Sequence, residues 1–126
     1  MARYVRVVSL WIHPGQAAAF EAFERDAARI MARHGGRIDS AVRIEPGGEG
    51  GGPFEVHIVS FPDRAAADSY ASDPETLKLS GRRAEIIART EMLAGFPAGR
   101  IRPESPMIGA LVQKLGSCGD SSQTSA

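Results

Sequence analysis

The side chain in this sequence best placed for proton transfer is that of His57. It interrupts the mostly apolar run of residues 54–61, which predicts that its imidazole is buried. A neutral imidazole accepts or donates a proton near neutral pH, so His57 is the candidate general base. The alternative is a histidine that only hydrogen-bonds a neighbouring group. Five further side chains would add small polar groups or flat aromatic surfaces to the same site: Ser9, Trp11, Ser40, Tyr70 and Thr90.

The two other histidines do not extend this site. His13 directly precedes Pro14, which favours a solvated turn residue over a contribution at the rim of a site. His34 ends the apolar stripe of a predicted helix, where a partly charged imidazole offsets the helix dipole. The three histidines lack the spacing of metal ligands and no carboxylate cluster accompanies them, so we expect no metal. We expect no cofactor either.

The composition argues against several classes of partner. The chain has 126 residues, which suits one domain, and its 15 basic and 15 acidic side chains cancel. Without a net charge we expect no nucleic-acid partner and no anionic membrane surface. Cys118 is the single cysteine, so we expect no internal disulfide and a reducing compartment. No apolar run has the length of a membrane span or the pattern of a signal peptide, which favours a cytoplasmic location.

Changes between a two-residue and a helical period divide most of the chain into short elements. In chain order they predict strand 3–12, helix 14–34, strand 37–45, strand 54–61, helix 63–88 and strand 89–96. Pro14 suits the first turn of a helix, where its missing N–H costs nothing. Asp63 is a candidate N-cap, and Asp73-Pro74 interrupts the second helix because proline disfavours helical geometry at the preceding residue. The glycine-rich residues 46–53 lack the ending of a phosphate-binding loop and predict a hairpin connection.

The end of the chain differs in composition from the rest. Prolines and glycines predict a linker, residues 107–115 predict one short helix, and the Ser/Gly-rich residues 116–126 predict a disordered end. The sequence therefore predicts one domain over residues 1–96 and a C-terminal extension over residues 97–126.

The predicted βαββαβ order is typical of an α+β protein with the ferredoxin-like fold. In that fold a four-stranded antiparallel sheet carries two helices on one face, and the other face stays uncovered. Both alternating sets of side chains in the first strand are largely apolar. The uncovered face would therefore expose an apolar patch of roughly several hundred Å², which is large enough to indicate an interface. We expect a homodimer in which a second copy covers this face.

Five short motifs mark the element boundaries: His13-Pro14-Gly15, His34-Gly35-Gly36-Arg37, Val59-Ser60-Phe61-Pro62, Ala65-Ala66-Ala67 and Ser72-Asp73-Pro74-Glu75. Together with the order of the elements they resemble the dimeric α/β-barrel superfamily, and most closely a family of uncharacterised small bacterial proteins within it. The resemblance covers residues 3–95. Members of the superfamily include cofactor-free monooxygenases that act on polyketide aromatics, haem-degrading enzymes, polyketide cyclases and proteins without an assigned activity. Membership therefore narrows the chemistry very little.

The resemblance implies that a ligand lies between the sheet and the helices of each subunit. It also implies which side chains face that space. The side chains expected toward the helices are Val5, Val7, Ser9, Trp11, His13, Glu55, His57, Val59, Phe61, Thr90 and Met92. Those expected inside the dimer barrel are Tyr4, Arg6, Val8, Leu10, Ile12, Val56 and Ile58.

Two functions of different classes fit these features. The first is binding of a small apolar or aromatic molecule, with a cofactor-free monooxygenase, cyclase or isomerase as its enzymatic form. In that form His57 is the general base, and Tyr70 or Trp11 orients the substrate. The alternative is a non-catalytic dimer that senses a ligand or serves as an interaction module. Haem degradation is disfavoured because those relatives use an asparagine beside the haem and this chain has none. RNA binding is disfavoured by the zero net charge and by the missing aromatic residues of an RNA-recognition strand.

Overall fold

The computed structural model describes residues 2–46 and 51–104. In chain order these residues form β1 (Tyr4–Ile12), α1 (Ala17–Arg33), β2 (Arg37–Arg43), β3 (Glu55–Phe61), α2 (Arg64–Ser72), α3 (Pro74–Lys78), α4 (Ser80–Ile86) and β4 (Ile87–Gly95). The predicted short helix over 107–115, the predicted disordered end and Cys118 lie outside the described residues. No helix in the described ranges combines the length and the apolar character needed to cross a membrane.

The four strands form one antiparallel sheet in the order β2-β3-β1-β4. The helices pack on one face of it, which confirms the predicted α+β, ferredoxin-like βαββαβ fold. The predicted second helix is divided into α2, α3 and α4. The division follows from two aspartates: Asp63 caps α2 by accepting a hydrogen bond from the Ala66 amide, and Asp73 caps α3 by accepting one from the Glu75 amide. Asp73 has extended geometry before Pro74, so the helix has to restart there.

The first helix begins later than predicted. Pro14 was expected in its first turn, but Gly15 has a φ of 80°, a left-handed geometry that a helix cannot contain. Pro14 and Gly15 therefore form a turn, closed by a hydrogen bond of 3.2 Å from the Gln16 amide to the His13 carbonyl, and α1 begins at Ala17. The stripe that α1 buries is the predicted one: Phe20, Phe23, Ala27, Ile30 and Met31.

The core consists of two clusters between the sheet and the helices. One is centred on Tyr4, Met31, Val59, Phe61 and Ala67, and the other on Leu10, Phe20, Phe23, Ile86 and Ile87. Val8 packs against both clusters and so joins them. The core therefore runs the length of β1 on its helix-facing side.

The face of β1 that meets the helices is the opposite of the predicted one. Directly paired residues share a face of a sheet, and Val8 pairs with His57 while Leu10 pairs with Glu55. The set that includes Tyr4, Arg6, Val8, Leu10 and Ile12 therefore faces the helices, and Val5, Val7, Ser9 and Trp11 lie on the outer face. The predicted faces came from aligning Pro14 and Phe61-Pro62 with the superfamily that the sequence resembles. Because both sets on β1 are apolar, the pattern itself could not correct a shift of one residue.

Gly36, between α1 and β2, is required by close packing. A Cβ at this position would lie 2.6 Å from the Cγ of Met31 and would also overlap the Phe61 ring. We expect Gly36→Ala to lower the free energy of unfolding by about 1–3 kcal/mol through overpacking. The matched control is Gly81→Ala in α4, where a Cβ would meet nothing within 4 Å. That substitution should leave stability equal or raise it by up to about 1 kcal/mol. Chemical denaturation of both variants measures this, and a Gly36→Ala protein as stable as the wild type would contradict the close packing.

Candidate functional site

A cavity of about 340 Å³ lies between the inner face of the sheet and the helices. This volume is in the range of sites that hold small molecules. Much of its wall is apolar and comes from both core clusters, including Val8, Leu10, Phe23, Met31, Val59 and Phe61. Ionisable side chains interrupt the apolar wall at a few positions: Arg6, Glu24, His57, Tyr70 and Arg83. The cavity can therefore accept an apolar molecule and bring it against groups that exchange protons.

His57 lies on the cavity wall and is only 4% exposed. Its Nε2 is 2.7 Å from Oε1 of Glu55, which lies two residues earlier on the same face of β3. Glu55 also accepts a hydrogen bond of 2.7 Å from Nε of Arg43. Burial acts to raise the pKa of Glu55, but the hydrogen bonds from His57 and Arg43 outweigh it and lower that pKa. Glu55 is therefore an ionised acceptor, so Nε2 of His57 carries the proton and Nδ1 is left as the basic nitrogen.

Glu24 faces the basic nitrogen of His57 from α1. Its Oε1 is 3.7 Å from Nδ1. Burial raises the pKa of Glu24, and the opposing effects of His57 and Arg83 do not cancel this. The imidazole therefore lies between one carboxyl group whose pKa is lowered and one whose pKa is raised. Burial and hydrogen bonding therefore move the pKa values of two neighbouring carboxyl groups in opposite directions, which is the arrangement that acid–base catalysis uses.

The raised pKa of Glu24 predicts a pH-dependent gain in stability for Glu24→Gln. Below the ordinary pKa of glutamate, at roughly pH 4, Glu24 is protonated in both the folded and the unfolded chain. Its burial should then lower the free energy of unfolding very little. As the pH rises through the folded-state pKa, ionisation of the buried group destabilises the wild type, whereas glutamine stays neutral. Thermal melts should therefore show little difference at about pH 4 and a higher melting temperature for Glu24→Gln at about pH 8. A variant that is less stable at the higher pH would contradict the raised pKa.

Two more polar side chains of the cavity wall, Tyr70 and Thr90, were predicted from the sequence as site residues. The Tyr70 ring packs against Phe61, with centroids 5.6 Å apart. Burial, reinforced by the charge of Glu24, raises the pKa of Tyr70, so its hydroxyl stays protonated and can donate a hydrogen bond. Thr90, on β4, accepts a hydrogen bond of 2.8 Å from Nη2 of Arg83.

The structure brings only some of the predicted site residues together. His57, Tyr70 and Thr90 line the cavity. Ser9 and Trp11 lie on the outer face of the sheet, because the face predicted for β1 was wrong. Trp11 donates a hydrogen bond of 2.8 Å to the Gly51 carbonyl, and the Arg89 guanidinium lies 4.3 Å from the centroid of its ring system. Trp11 therefore cannot orient a molecule in this cavity.

Ser40 also lies on the outer face. Ile38 pairs with the inward-facing Val59, but the register shifts between Ile38 and Ser40, so that Ser40 pairs with the outward-facing Ile58. This β-bulge inserts one residue and reverses the alternation of everything after it on β2. Simple alternation placed Ile38 and Ser40 on the same side, and that prediction was wrong.

Sequence reasoning missed Glu24, placed Arg6 inside the dimer barrel, and named Glu55 only as a residue of the helix-facing side. A signal for both glutamates was present in the sequence. Glu24 follows Phe20 by four positions and precedes Ala27 by three, so it lies on the apolar stripe of α1. Glu55 precedes His57 by two positions, which puts both side chains on one face of a strand.

The other histidines serve the fold. Nε2 of His34 is 2.8 Å from Oδ2 of Asp73, and this hydrogen bond is the main cause of the lowered pKa of Asp73. The contact ties the end of α1 to the junction of α2 and α3. His13 is exposed in the turn before α1. No group of three potential metal-ligating side chains occurs in the ranges 2–46 and 51–104.

A larger groove of about 640 Å³ runs between α1 and α3, but it is a solvated charged surface. Its wall includes Asp26, Arg29, Arg33, Glu75 and Lys78. Several of these charges are neutralised locally, as in the ion pair of 3.1 Å between Arg33 and Glu75. Exposed pairs of this kind contribute little to binding energy, so the apolar cavity between sheet and helices is the stronger candidate site.

The sheet and the cavity beneath the helices define this chain as an α+β protein with the ferredoxin-like fold. No family model matches the chain, and no curated protein sequence matches it. Solved structures do match. A protein of unknown function from Rhodopseudomonas palustris aligns with a TM-score of 0.68 at 18% identity, over 79% of this chain and 85% of that one. A dabb family protein with a ferredoxin-like fold from Mesorhizobium loti aligns with a TM-score of 0.57 at 19% identity, over 79% and 100%.

A third solved structure is described as a proposed antibiotic biosynthesis monooxygenase from Nitrosomonas europaea. It aligns with a TM-score of 0.61 at 16% identity, over 76% of this chain and 90% of that one. At these identities the likeness concerns the fold. These structures confirm the ferredoxin-like fold that the order of the elements predicted.

Proposed function

We propose that this chain binds a small, largely apolar molecule between its sheet and helices and transfers a proton of that molecule to His57. The observation that carries the proposal is the position of His57. It lies on the wall of an apolar cavity with one nitrogen bound to Glu55 at 2.7 Å and the other facing Glu24 at 3.7 Å. A buried histidine that served only the core would need one hydrogen-bond partner and no access to a cavity.

The geometry supports removal of a proton from a carbon next to a carbonyl group. Nδ1 of His57 takes the proton, the electron pair of the broken C–H bond forms a carbon–carbon double bond, and the carbonyl oxygen gains the negative charge. The Tyr70 hydroxyl is a donor available to stabilise that charge, and Glu24, whose pKa is raised by burial, is a second donor when it is protonated. In a substrate with a carbon–carbon double bond next to the acidic carbon, the enolate extends over that bond. Return of the proton from His57 to the far carbon of this dienolate completes an isomerisation, and no cofactor is needed for this sequence.

The same enolate is the first intermediate of the other two activities expected from the sequence. Attack of the carbanion on a second carbonyl of the substrate gives a cyclisation. At a CH₂ carbon, reaction of the carbanion with molecular oxygen as co-reactant gives a hydroperoxide, which loses water and leaves a new carbonyl group, an oxygenation. The description of the Nitrosomonas europaea protein, which shares the fold, supports the oxygenase form as a candidate. The proton-transfer step is common to all three, so it is the step to test first.

Proton exchange of a small aromatic ketone tests this proposal. The protons between the ring and the carbonyl of 2-tetralone exchange with D₂O through the enolate, and NMR measures the loss of their signal. We expect the protein to accelerate this loss above the rate in buffer. Binding of 2-tetralone without any acceleration would instead support the alternative function, a non-catalytic module that senses a ligand. Absence of both binding and acceleration would contradict the proposal.

We also propose that a second copy of this chain covers the outer face of the sheet. That face carries seven apolar side chains: Val5, Val7, Trp11, Val42, Val56, Ile58 and Leu93. Leu93 is 73% exposed and Val42 is 53% exposed. From strand spacing and length the face measures roughly 600 Å². Burying it in both copies gives a total of about 1,200 Å², the lower end of a specific interface.

A further inference from the structure

Arg6 is the charged residue of the cavity wall that lacks a partner. Its Nε is buried and has no hydrogen-bond partner within the described ranges 2–46 and 51–104. The guanidinium lies 5.5 Å from the centroid of the Tyr4 ring. Other arginines around the cavity are neutralised or bound: Arg43 pairs with Glu55 at 2.7 Å, and Arg83 donates to Thr90 at 2.8 Å. The buried Nε of Arg6, a residue of the cavity wall, is therefore a donor that a bound molecule can satisfy.

A second polar group of the cavity wall is also unpaired. The hydroxyl oxygen of Thr76 is buried without a hydrogen-bond partner among the described residues, and Thr76 lines the same cavity as Arg6. Leaving a charged or polar group buried and unpaired is costly, so a group entering the cavity that satisfies these donors gains binding energy. A guanidinium matches the paired oxygens of a carboxylate or another oxyanion, so an anionic oxygen group is the acceptor class that suits Arg6.

The charge balance of the wall points the same way. Two guanidinium groups, of Arg6 and Arg83, line the cavity against the single carboxyl group of Glu24. Within the proposed small-molecule site, we infer that the ligand carries one anionic oxygen group, a carboxylate in the first place, on an apolar skeleton, and that Arg6 binds this group. The inference rests on the proposed function, because it names the chemical class of the molecule that the site takes.

The register of the sheet also indicates the distance between the anionic group and the reacting carbon of the ligand. Arg6 precedes Val8 by two residues on β1, and Val8 pairs with His57. Arg6 and His57 therefore lie on the same face, separated by roughly 7 Å along the strand direction. The anionic group and the reacting carbon must be separated by a similar length. An acid whose carboxylate and ketone lie on opposite ends of a fused ring meets this requirement.

Two fluorescent dyes with one skeleton test the inference. 8-Anilinonaphthalene-1-sulfonate carries an anionic oxygen group, and N-phenyl-1-naphthylamine is the same molecule without it. We expect the wild type to bind the sulfonate more tightly. Arg6→Leu should weaken binding of the sulfonate by about ten- to a hundredfold, the loss of one charge-assisted contact, and change binding of the neutral dye by less than about twofold.

Arg64→Leu is the matched control. Arg64 also lies near the Tyr4 ring, at 5.8 Å, and its removal lowers the net charge equally, but Arg64 does not line the cavity. We expect it to leave both affinities unchanged. Because Arg6→Leu removes a half-buried guanidinium whose Nε is unpaired, its melting temperature without dye should be no lower than that of the wild type. Equal weakening of the two dyes by Arg6→Leu, or equal affinity of the wild type for both, would overturn the inference and leave the proposed function standing.

A separate variant reports on the cavity itself. Ala71 lines the cavity from α2 and is exposed, so Ala71→Trp fills space without replacing a core side chain. We expect it to weaken binding of both dyes. Dye affinities that are unchanged in Ala71→Trp would contradict the small-molecule site and with it the inference about Arg6. Absence of binding of either dye to the wild type would do the same.

Discussion

Replacing His57 with glutamine is expected to reduce the acceleration of 2-tetralone proton exchange by about 10²- to 10⁴-fold, the usual contribution of a positioned general base. Glutamine keeps a donor toward Glu55 and fills a similar volume beside Phe20, but its amide cannot accept the proton. The exchange rate is measured by NMR over a range of ketone concentrations. We expect the loss in kcat, with KM changed by much less, because the ketone contacts the unaltered apolar wall.

The control for this variant comes from the face that was wrongly predicted to meet the ligand. Ser9→Ala removes a hydroxyl from β1, where Ser9 pairs with Val56, the residue before His57 on β3. Ser9 lies on the outer face of the sheet. Its exchange kinetics should equal those of the wild type. If His57→Gln retains the full acceleration, His57 is not the base. If Ser9→Ala is impaired as much as His57→Gln, the loss reports on the sheet as a whole.

The elements of this fold are set by local patterns, and these were predictable. The stripe on α1, the Asp63 cap and the break at Asp73-Pro74 each depend on a few neighbouring residues. The helix start was wrong because a single torsion, the positive φ of Gly15, decides it. A proline–glycine pair fits both a first helical turn and a preceding turn, so residue types alone could not decide between them.

The positions of side chains relative to the two faces of the sheet were harder to predict. On β3 the polar break at His57 and the apolar neighbours agree on one face, and the structure has that face inward. On β1 both sets are apolar, so the pattern could not show that the alignment on Pro14 had exchanged the two faces. Arg6, which was expected inside the dimer barrel, lines the cavity. On β2 a bulge after Ile38 moved Ser40 outward. A bulge depends on the partner strand, and a single strand's sequence carries little sign of it.

The contact between Glu24 and His57 could not be predicted from either residue alone. Glu24 belongs to α1 and His57 to β3, so their separation of 3.7 Å depends on how the helix crosses the sheet. The raised pKa of Glu24 depends first on burial, a property of the whole layer. Candidate residues follow from sequence patterns, whereas their protonation states follow from packing between elements that are distant in sequence.

Val7→Arg is expected to convert a dimer of this chain into monomers. Val7 lies on the outer face of the central strand β1 and pairs with Leu93 and Ile58, which are themselves outer-face residues. At about 25 cal/mol per Å², burying roughly 600 Å² per copy contributes on the order of 15 kcal/mol per copy before association costs. An unpaired arginine at the centre of that interface costs several kcal/mol, so the dimer dissociation constant should rise by roughly 10²-fold or more.

Native mass spectrometry and sedimentation measure the change, and Ala18→Arg is the matched control. Ala18 is exposed in the first turn of α1, on the helix side, so this variant gains the same charge away from the sheet. We expect Ala18→Arg to remain dimeric and Val7→Arg to be monomeric with an unchanged fold, since Val7 points away from both core clusters. A wild type that is monomeric at micromolar concentration, or a Val7→Arg protein that stays dimeric, would mean that something other than a second copy covers the outer face.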